Sequence, residues 1–351
     1  MHTENSPRLE GLAPRTCQLM PSHQPQQKEA SFVMRDISNE RLVTIVARMY
    51  HEQRRTQHEI ADCLNVSQVT VCRLLKRAEE LGFVRTTVSP PFGTFVDLEE
   101  LLERKFGLAQ VIIARASNES EESMRGAVGA AAGYFLGTTL RSKAVVGVGS
   151  WSASLMSMVE QTHPFWKLSE CKVVQIQGGV GLPSIEEHAN YLVSQLAYLV
   201  RGEAHLLPAP GLVASKGAAA VLMQDPHIRE TMALFDQITV ALIGIGSLDV
   251  SPWLIGNGNT ISTEELQRLE DKGAVGNICL RFYNVDGQQI EDSIHSRVLG
   301  LEPERLKEIP TVVGVACGKR KRQAILGALR GRWINVLLTD QFTAESLAKE
   351  V

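Results

Sequence analysis

The chain has 351 residues, 44% of them hydrophobic and 21% charged, and a formal net charge of −3. These proportions are ordinary for a soluble globular protein, and the length favours two domains because one core rarely serves more than about 250–300 residues. The apolar runs are shorter than the ~20 residues of a membrane helix and the N-terminus lacks a secretory core, so we expect a cytoplasmic protein without a membrane partner. The six cysteines form no CxxC pair, which argues against a zinc site or another metal centre.

The N-terminal region divides into a tail and a mildly basic segment. Residues 1–34 are polar, with Pro14, Pro21 and Pro25 and no apolar period, and they predict a disordered tail. Residues 31–90 contain nine Lys/Arg against seven Asp/Glu, a net of +2; residues 1–30 balance, so the rest of the chain sums to −5. A basic segment beside an acidic body favours contact between that segment and DNA.

Residues 35–90 carry the pattern of a helix-turn-helix domain. Thr56 and Glu59 form the capping box that starts a helix, and Asn65 occupies the position where the chain must turn through a left-handed conformation. Ser67 then caps a second helix, which Gly82 ends. Two short helices joined by so tight a turn are typical of a DNA-binding motif, although a helical hairpin that packs on another element is the alternative.

The second helix supplies the expected DNA contacts. Its exposed N-terminal side chains are the candidates for base edges, since Gln can pair with adenine, Arg with guanine, and Val can touch a thymine methyl. Later basic side chains are placed to contact phosphates. The predicted DNA-binding residues are Ser67, Gln68, Val69, Thr70, Arg73, Lys76 and Arg77, and the predicted partner is a double-stranded DNA operator.

A connection follows the DNA-binding domain. Residues 84–88 predict a short strand that the Pro90–Gly93 segment ends, and residues 91–107 predict a linker helix with Leu98, Leu101 and Leu102 on one face. This leucine face is a candidate dimer surface. A helix-turn-helix monomer contacts too few base pairs for genomic specificity, so we expect a homodimer or homotetramer.

Residues 108–351 predict an α/β domain with a mostly parallel sheet. Short, nearly all-apolar β-branched runs alternate with helical stretches, the pattern of a parallel sheet covered on both faces. The predicted strands are Val111–Ile113, Val145–Val148, Val173–Ile176, Ile238–Ile243, Thr311–Val315 and Ile334–Leu338. The predicted helices are Met124–Leu140, Glu187–Arg201, Ser262–Asp271 and Lys321–Arg330.

Three of these strands run into loops that contain glycine. Ligands bind at the carboxyl ends of parallel strands, glycine lets the backbone approach an anion, and a helix start offers free N–H groups. A tight turn explains any one such loop equally well, but three in one domain favour a phosphate or carboxylate ligand. The candidate residues are Gly147, Gly149, Ser150, Ser152 and Ser154 in the first loop, Gly178 in the second, and Gly244 and Gly246 in the third.

A basic turn, Cys317–Arg322, follows a later strand. Lys321 is placed to carry a point charge over a phosphate, whereas Lys319, Arg320 and Arg322 suit a solvated turn. Signatures of catalysis are missing: the sequence has no GxSxG, HExxH or P-loop, and Trp151 interrupts the nearest approach to a dinucleotide-binding fingerprint. We therefore expect no catalytic residue and no cofactor.

Several segments of the chain together resemble the SorC family of sugar-binding transcriptional regulators. They are TQHEIADCLNVSQVTVCRLLKRAEELG, VVQIQGGVG, HLLPAP, GAVGNICLRFYNVDG and GVACGKRKRQAILGALRGRWINVLLTDQFTAESL. The resemblance spans residues 36–350 and implies a domain like sugar-phosphate isomerases and deaminases that binds a phosphorylated sugar effector. It implies an effector pocket formed by the first and third glycine loops, the position of Asn277, and Lys321. Asn277 and Asn284 stand where the family usually has acidic residues, and an amide can donate as well as accept hydrogen bonds.

Three functions compete at this stage. The first is a DNA-binding regulator controlled by a phosphorylated sugar, and the second is a sugar-phosphate isomerase or deaminase that carries a DNA-binding head. The third is an architectural DNA-binding protein whose pocket binds nothing. The intact glycine loops and Lys321 argue against the third, and the lack of an acid–base pair among the loop residues argues against the second.

Overall fold

The structure, a computed structural model, describes residues 40–84, 95–179, 183–248 and 261–350, without the side chains of 183–188. The chain divides into two compact units, Met1–Thr87 and Val88–Val351. The expected tail, the strand expected beyond Val84 and the break at Pro90–Gly93 lie outside the described residues.

The first unit contains three helices: α1 (40–51), α2 (Gln57–Leu64) and α3 (Gln68–Glu80). Thr56 accepts a hydrogen bond from the Glu59 backbone N–H while the Glu59 carboxylate accepts one from the Thr56 N–H, as the capping box predicted. Asn65 has φ 53° and ψ 47°, and the Ser67 hydroxyl accepts a hydrogen bond from the Thr70 N–H. The apolar faces of the three helices form one core: Val43, Val46, Ala47, Met49, Ile60, Ala61, Val71, Leu74, Leu75 and Ala78.

The second unit alternates strands and helices. Its strands are β1 (Gln110–Ala114), β2 (Val145–Val148), β3 (Cys171–Gln175), β4 (Gly202–His205), β5 (Val240–Gly244), β6 (Gly246–Ser247), β7 (Ala274–Ile278), β8 (Arg281–Asn284), β9 (Thr311–Val315) and β10 (Val336–Asp340). Its helices are α4 (Val96–Phe106), α5 (Glu121–Thr139), α6 (Ala153–Gln161), α7 (Pro183–Leu199), α8 (Lys216–Leu222), α9 (Pro226–Ala233), α10 (Thr263–Asp271), α11 (Pro303–Glu308), α12 (Arg322–Arg330) and α13 (Gln341–Ala348).

Seven strands form one sheet in the order β1-β10-β9-β5-β2-β3-β4, and every pairing between neighbours is parallel. The strands are almost fully buried except β4 at the edge, because helices cover both faces and build a separate apolar core on each. This confirms the mostly parallel α/β sheet that the sequence predicted.

A small antiparallel sheet, β6-β7-β8, lies beside the main one and was not expected from the sequence. Its hairpin turns at Cys279 and Leu280, which both have positive φ, 49° and 63°. Hairpin turns of this kind normally use Asn or Gly, whose absence here removes the usual sequence signal. Leu280 is nonetheless buried, so its packing offsets part of the backbone strain.

Helix α4, expected to link the two domains, packs into the second unit. Its Glu99 and Glu103 carboxylates accept hydrogen bonds from the backbone N–H groups of Ile113 and Val111, both at 2.8 Å. These carboxylates cover the free edge of β1. If they did not, the N–H groups of this edge strand could pair with a strand of another chain.

The leucine face of α4 is therefore committed to its own domain. Leu102 is fully buried and Leu98 packs against the same core, while Leu101 stays exposed. The expectation that these three leucines form a dimer surface is wrong for Leu98 and Leu102, because they already pack on the sheet-covering core.

Candidate functional site

Helix α3 presents most of its predicted DNA-binding side chains to solvent. Gln68, Val69, Arg73, Lys76 and Arg77 are exposed, and Val69 retains 79% of its accessible surface. The opposite face of the helix is buried through Val71, Leu74, Leu75 and Ala78. An exposed valine beside a glutamine and three cations is unfavourable in water alone, and it suits a surface that contacts base edges and phosphates.

Three of the predicted residues already have partners within the helix or at its cap. The Ser67 hydroxyl caps α3 and lies 2.8 Å from the hydroxyl of Thr70, which is only partly exposed. Arg77 forms an ion pair with Glu80 at 3.2 Å. Ser67 and Thr70 therefore hold the start of the helix in place, and Arg77 has to share its charge between Glu80 and any phosphate.

In the second unit, the strand order fixes where a ligand can enter. From β2 the chain proceeds outward to β3 and β4, and from β5 it proceeds the other way, to β9 and β10. Neighbouring strands β2 and β5 thus mark a topological switch point, and ligands of such sheets bind in the crevice beyond the carboxyl ends of the strands at that point. The first and third glycine loops both begin there.

The first glycine loop ends at the N-terminus of α6. Ser152 caps this helix by accepting a hydrogen bond from the Leu155 N–H, and helix geometry leaves the N–H groups of Ala153 and Ser154 without an acceptor inside the helix. Ser150 is turned inward, where its hydroxyl accepts a hydrogen bond from the Gln175 side chain at 3.2 Å. The loop therefore offers an anion two backbone donors, while Ser150 and Ser152 hold the loop in place.

The third loop lies directly against the first. A Cβ at Gly244 would come within 2.5 Å of the Ser152 hydroxyl oxygen, so only glycine allows the two loops to meet. A Cβ at Gly246 would come within 2.6 Å of the Asn277 amide nitrogen, because β6 pairs Gly246 with Asn277. Ser152, Gly244, Gly246 and Asn277 thus form one contiguous wall. The Cys279 thiol at the hairpin tip completes it, since a Cβ at Gly149 would lie 3.4 Å from that sulfur.

The basic turn brings Lys321 to the same end of the sheet. Lys321 ends a 3₁₀ turn at 319–321, and α12 begins at Arg322 rather than at Lys321 as predicted. Burial lowers the pKa of Lys321, and the neighbouring Cys317 thiol counteracts that shift. Burial raises the pKa of the Cys317 thiol, and Lys321 and the Ser154 side chain both lower it, so Cys317 lies close to Lys321 and to the start of α6.

Gly147 and Gly178, which were predicted to line the site, are glycines because of the packing around them. Gly147 lies inside β2, where a Cβ would press on Ile176 and Ile238 at 2.9 Å. Gly178 lies where two backbones meet, and a Cβ there would come within 2.4 Å of the Ala209 carbonyl oxygen. Packing accounts for both glycines, and neither joins the wall around Gly244.

The buried carboxylate near this site is fully engaged. Asp340, which has no exposed surface, accepts hydrogen bonds from the N–H groups of Phe342 and Thr343, the Thr343 hydroxyl and the Gly318 N–H. It caps α13 and fixes the turn that carries Lys321. Within the described ranges no group of three or more His, Cys, Asp or Glu residues could hold a metal ion.

Trp151 is a residue that the sequence argument passed over. Its ring packs near Gly211, and its indole nitrogen is buried without a hydrogen-bond partner. Indole N–H groups normally find a partner when buried, so this unsatisfied donor beside the first loop is a candidate contact for a ligand oxygen. The sequence showed that Trp151 breaks the dinucleotide-binding pattern, but it did not show where the ring points.

A histidine behind the small sheet gives the second unit a distinctive pH response. The Phe282 N–H donates to His295 Nε2 at 3.2 Å, which requires that this ring nitrogen carries no proton, and Nδ1 lies against the side-chain amide of Gln289. Burial, followed by the charge of Arg281, lowers the pKa of His295 to about 4. Protonating the ring would remove the acceptor that Phe282 uses.

We expect the free energy of unfolding of the second unit to fall as the pH drops from about 6.5 toward about 4. In this window the unfolded chain binds a proton at residue 295 that the folded chain does not, so acidification favours unfolding. Urea denaturation at pH 7.5, 6.0 and 5.0 measures the slope. His295→Gln keeps an acceptor and should flatten it, whereas His227→Gln, at an exposed position, should not; equal slopes for all three proteins would contradict the assignment.

Comparisons with known proteins agree with this architecture. A family model named "Putative sugar-binding domain" matches residues 90–349, and a model of the MarR family matches residues 37–91. The Sorbitol operon regulator of Klebsiella pneumoniae is 32% identical over 316 residues, which cover 88% of this chain and 98% of that protein. The Deoxyribonucleoside regulator of Bacillus subtilis is 28% identical, over 90% of this chain and 100% of that protein.

Solved structures give the same result. The full-length Sorbitol Operon Regulator SorC from K. pneumoniae superimposes with a TM-score of 0.71 and 31% identity, over 88% of this chain and 98% of that one. The probable sor operon regulator from Shigella flexneri gives a TM-score of 0.66 and 31% identity, over 72% of this chain and 99% of that one. None of the helices in the described residues is long and apolar enough to span a membrane.

Proposed function

The chain belongs to the SorC family of sugar-binding transcriptional regulators, and from that premise we propose that a phosphorylated sugar or sugar alcohol controls its binding to a DNA operator. The genes under its control belong to carbohydrate metabolism. It works in the cytoplasm, where its operator lies, as a homodimer or homotetramer. Two half-sites supply the binding energy that a single helix-turn-helix lacks.

The observation that carries this proposal is the set of groups at the switch point. The unsatisfied N–H groups at the start of α6 and the charge of Lys321 meet at the carboxyl ends of β2 and β9, and Cys317 lies between them. Helix N-termini bind anions, and a half-buried lysine that forms no ion pair is stabilised by a ligand that compensates its charge. A bound phosphate would accept hydrogen bonds from the N–H groups of α6 and would also compensate the charge of Lys321.

The wall around this anion site suits the hydroxyl groups of a sugar. Asn277 and the backbone of Gly244–Ser247 provide donors and acceptors, and the indole N–H of Trp151 provides a further donor. The Asn277 side-chain amide can both donate and accept hydrogen bonds. It can therefore donate to the oxygen of an effector hydroxyl or accept a hydrogen bond from it. The effector-binding residues we propose are Gly149, Ser152, Ser154, Gly244, Gly246, Asn277 and Lys321.

We assign no enzymatic activity to the second unit. Its relatives are named as regulators, and the buried Asp340 carboxylate is committed to capping and to the Gly318 turn. An isomerase or deaminase needs a positioned acid and base near the reacting carbons. The groups around this site are instead the amide of Asn277, serine hydroxyl groups and the lysine Lys321.

A thermal-shift screen tests the proposal. Pentose, hexose and hexitol monophosphates are added to the full-length protein, together with the parent sugars and the corresponding sugar acids. A ligand at about 100 times its dissociation constant stabilises by about 2.7 kcal/mol, which raises the Tm of a domain this size by about 5–10 °C. One or more phosphates should produce this shift and also change operator affinity. A parent sugar that binds as well as its phosphate, or no response to any phosphate, would contradict the proposal.

A further inference from the structure

The first turn of α5 lies against the basic turn that carries Lys321. Glu119, just before α5, pairs with Lys319 at 2.5 Å, and Glu121 pairs with Arg320 through two hydrogen bonds of 2.9 and 3.3 Å. Arg125 follows Glu121 by four residues, so the two side chains share one face of α5. That face is the one that meets the 319–321 turn.

The packing of α5 on α6 brings Arg125 to the start of α6 as well. The two helices run side by side in register, because a Cβ at Gly129 would meet Ser157 and a Cβ at Gly133 would meet Thr162. One turn earlier, the same register pairs Arg125 with Ala153 and Ser154. Arg125 therefore stands beside the unsatisfied N–H groups of α6 on one side and the Lys321 turn on the other.

The charges around this point are unevenly compensated. Lys319 and Arg320 each have a carboxylate partner, whereas no carboxylate in the described part of the chain forms an ion pair with Arg125 or Lys321. Burial is the main reason that the pKa of Lys321 is lowered; Cys317 and then the Glu121 carboxylate counteract this shift, and the charge of Arg125 adds to it. The two cations repel each other in the free protein, an arrangement that an anion between them would reverse.

We propose that Arg125 is the second cation of the effector site and that, with Lys321, it selects a dianionic phosphate monoester over the singly charged carboxylate of a sugar acid. This inference rests on the proposed function. Two cations and two backbone donors match the charge and the three terminal oxygens of a phosphate group. Arginine can bind two of those oxygens at once, and lysine contributes a point charge.

Arg125→Gln, Arg125→Lys and the control Arg320→Gln test the inference, because Arg320 is a neighbouring exposed cation that already has a partner. The probes are the sugar phosphate that gives the largest shift with the wild-type protein, the matching sugar acid, and inorganic phosphate alone. We expect Arg125→Gln to raise the dissociation constant of the sugar phosphate about ten-fold or more. Arg125→Lys should have a smaller effect, and Arg320→Gln less than a two-fold effect. Binding of the sugar acid should change less than binding of the phosphate.

The melting temperature of the free protein separates a binding role from a structural one. Arg125 forms no ion pair with a carboxylate in the described residues, so the Tm of unliganded Arg125→Gln should stay close to that of the wild type. A lower Tm would assign Arg125 to the structure, and unchanged affinity for the phosphate would remove it from the site; either result overturns the inference.

If wild type and Lys321→Ala respond to phosphates as proposed while Arg125→Gln matches wild type, the inference alone fails. If no phosphate binds the wild type, the proposed function fails with it. Inorganic phosphate that binds as tightly as the ester would overturn both, since the site would then hold a free anion rather than an effector.

Discussion

Lys321→Ala is expected to raise the dissociation constant of the effector about ten- to a hundred-fold and to leave operator binding without effector unchanged. Losing a charge-assisted hydrogen bond typically costs about 1.5–3 kcal/mol, which corresponds to this range. The effect should exceed that of a surface lysine, because Lys321 is half-buried and forms no ion pair with a described carboxylate, so water screens its charge less than at the surface. The variant should fold, since the hydrogen bond that the Lys321 backbone N–H donates to the Gly318 carbonyl is kept.

The matched control is Lys319→Ala, two residues away in the same turn. Lys319 pairs with Glu119 at the surface, where 77% of its side chain is exposed, and surface pairs contribute about 0–1 kcal/mol. Isothermal titration with the sugar phosphate found in the screen measures both variants, and fluorescence anisotropy with labelled operator measures DNA binding. If Lys321→Ala binds the phosphate with wild-type affinity, or if Lys319→Ala loses as much, the anion site lies elsewhere.

Arg73→Ala is expected to weaken specific DNA binding by about 1–3 kcal/mol and to relax base choice at one position of each half-site. Arg73 is exposed on the second turn of α3, on the face that carries Val69 four residues earlier. A bidentate contact between arginine and guanine typically discriminates by this amount. The affinity for the preferred sequence should therefore fall by about 5- to 150-fold, and non-specific binding should change less.

Arg77→Ala should behave differently, although it changes the same charge one turn later. Arg77 pairs with Glu80 and is placed to contact a phosphate, so its removal should weaken binding to every sequence by a similar, smaller factor. The slope of log affinity against log salt should flatten by about 0.9 for each DNA phosphate that the variant no longer neutralises.

The DNA for this experiment is a sequence that the wild-type protein selects from a random pool. Arg48→Ala is the control, because Arg48 is an exposed cation on α1 that pairs with Glu52. Affinities for the selected sequence and for a scrambled one are measured between 50 and 200 mM salt. Identical base preference in Arg73→Ala and wild type, or a sequence-specific loss in Arg77→Ala, would overturn the roles given to these residues.

Several features of this protein were determined by the sequence because their partners are neighbours in the chain. The capping box of Thr56 and Glu59, the left-handed Asn65 and the Ser67 cap each involve groups at most four residues apart. Apolar periodicity likewise predicted which face of α3 is buried and that the second unit is a parallel sheet between helices. The nature of the protein as a DNA-binding regulator could be predicted from these local patterns and from the family segments.

The site required the tertiary structure because its properties depend on residues far apart in the chain. Gly147 and Gly178 looked like the other loop glycines, and only the packing of Ile238 and Ala209 against them shows that they serve the core. The sequence of α4 predicted a linker. Its glutamates instead accept hydrogen bonds from the N–H groups of β1, and these contacts make the helix part of the second unit.

Charge compensation is the clearest case. The basic turn contains four successive cations, Lys319–Arg322, and the sequence could not show which carboxylates pair with three of them. Arg320 and Glu121 are 199 residues apart, yet their pairing leaves Lys321 free of a partner among the described carboxylates. Arg125 had no sequence signal at all, since it lies in an ordinary helix and only the register of α5 on α6 brings it to the anion site. A local pattern determines which groups a segment offers, but long-range packing decides which of those groups remain unsatisfied and can bind a ligand.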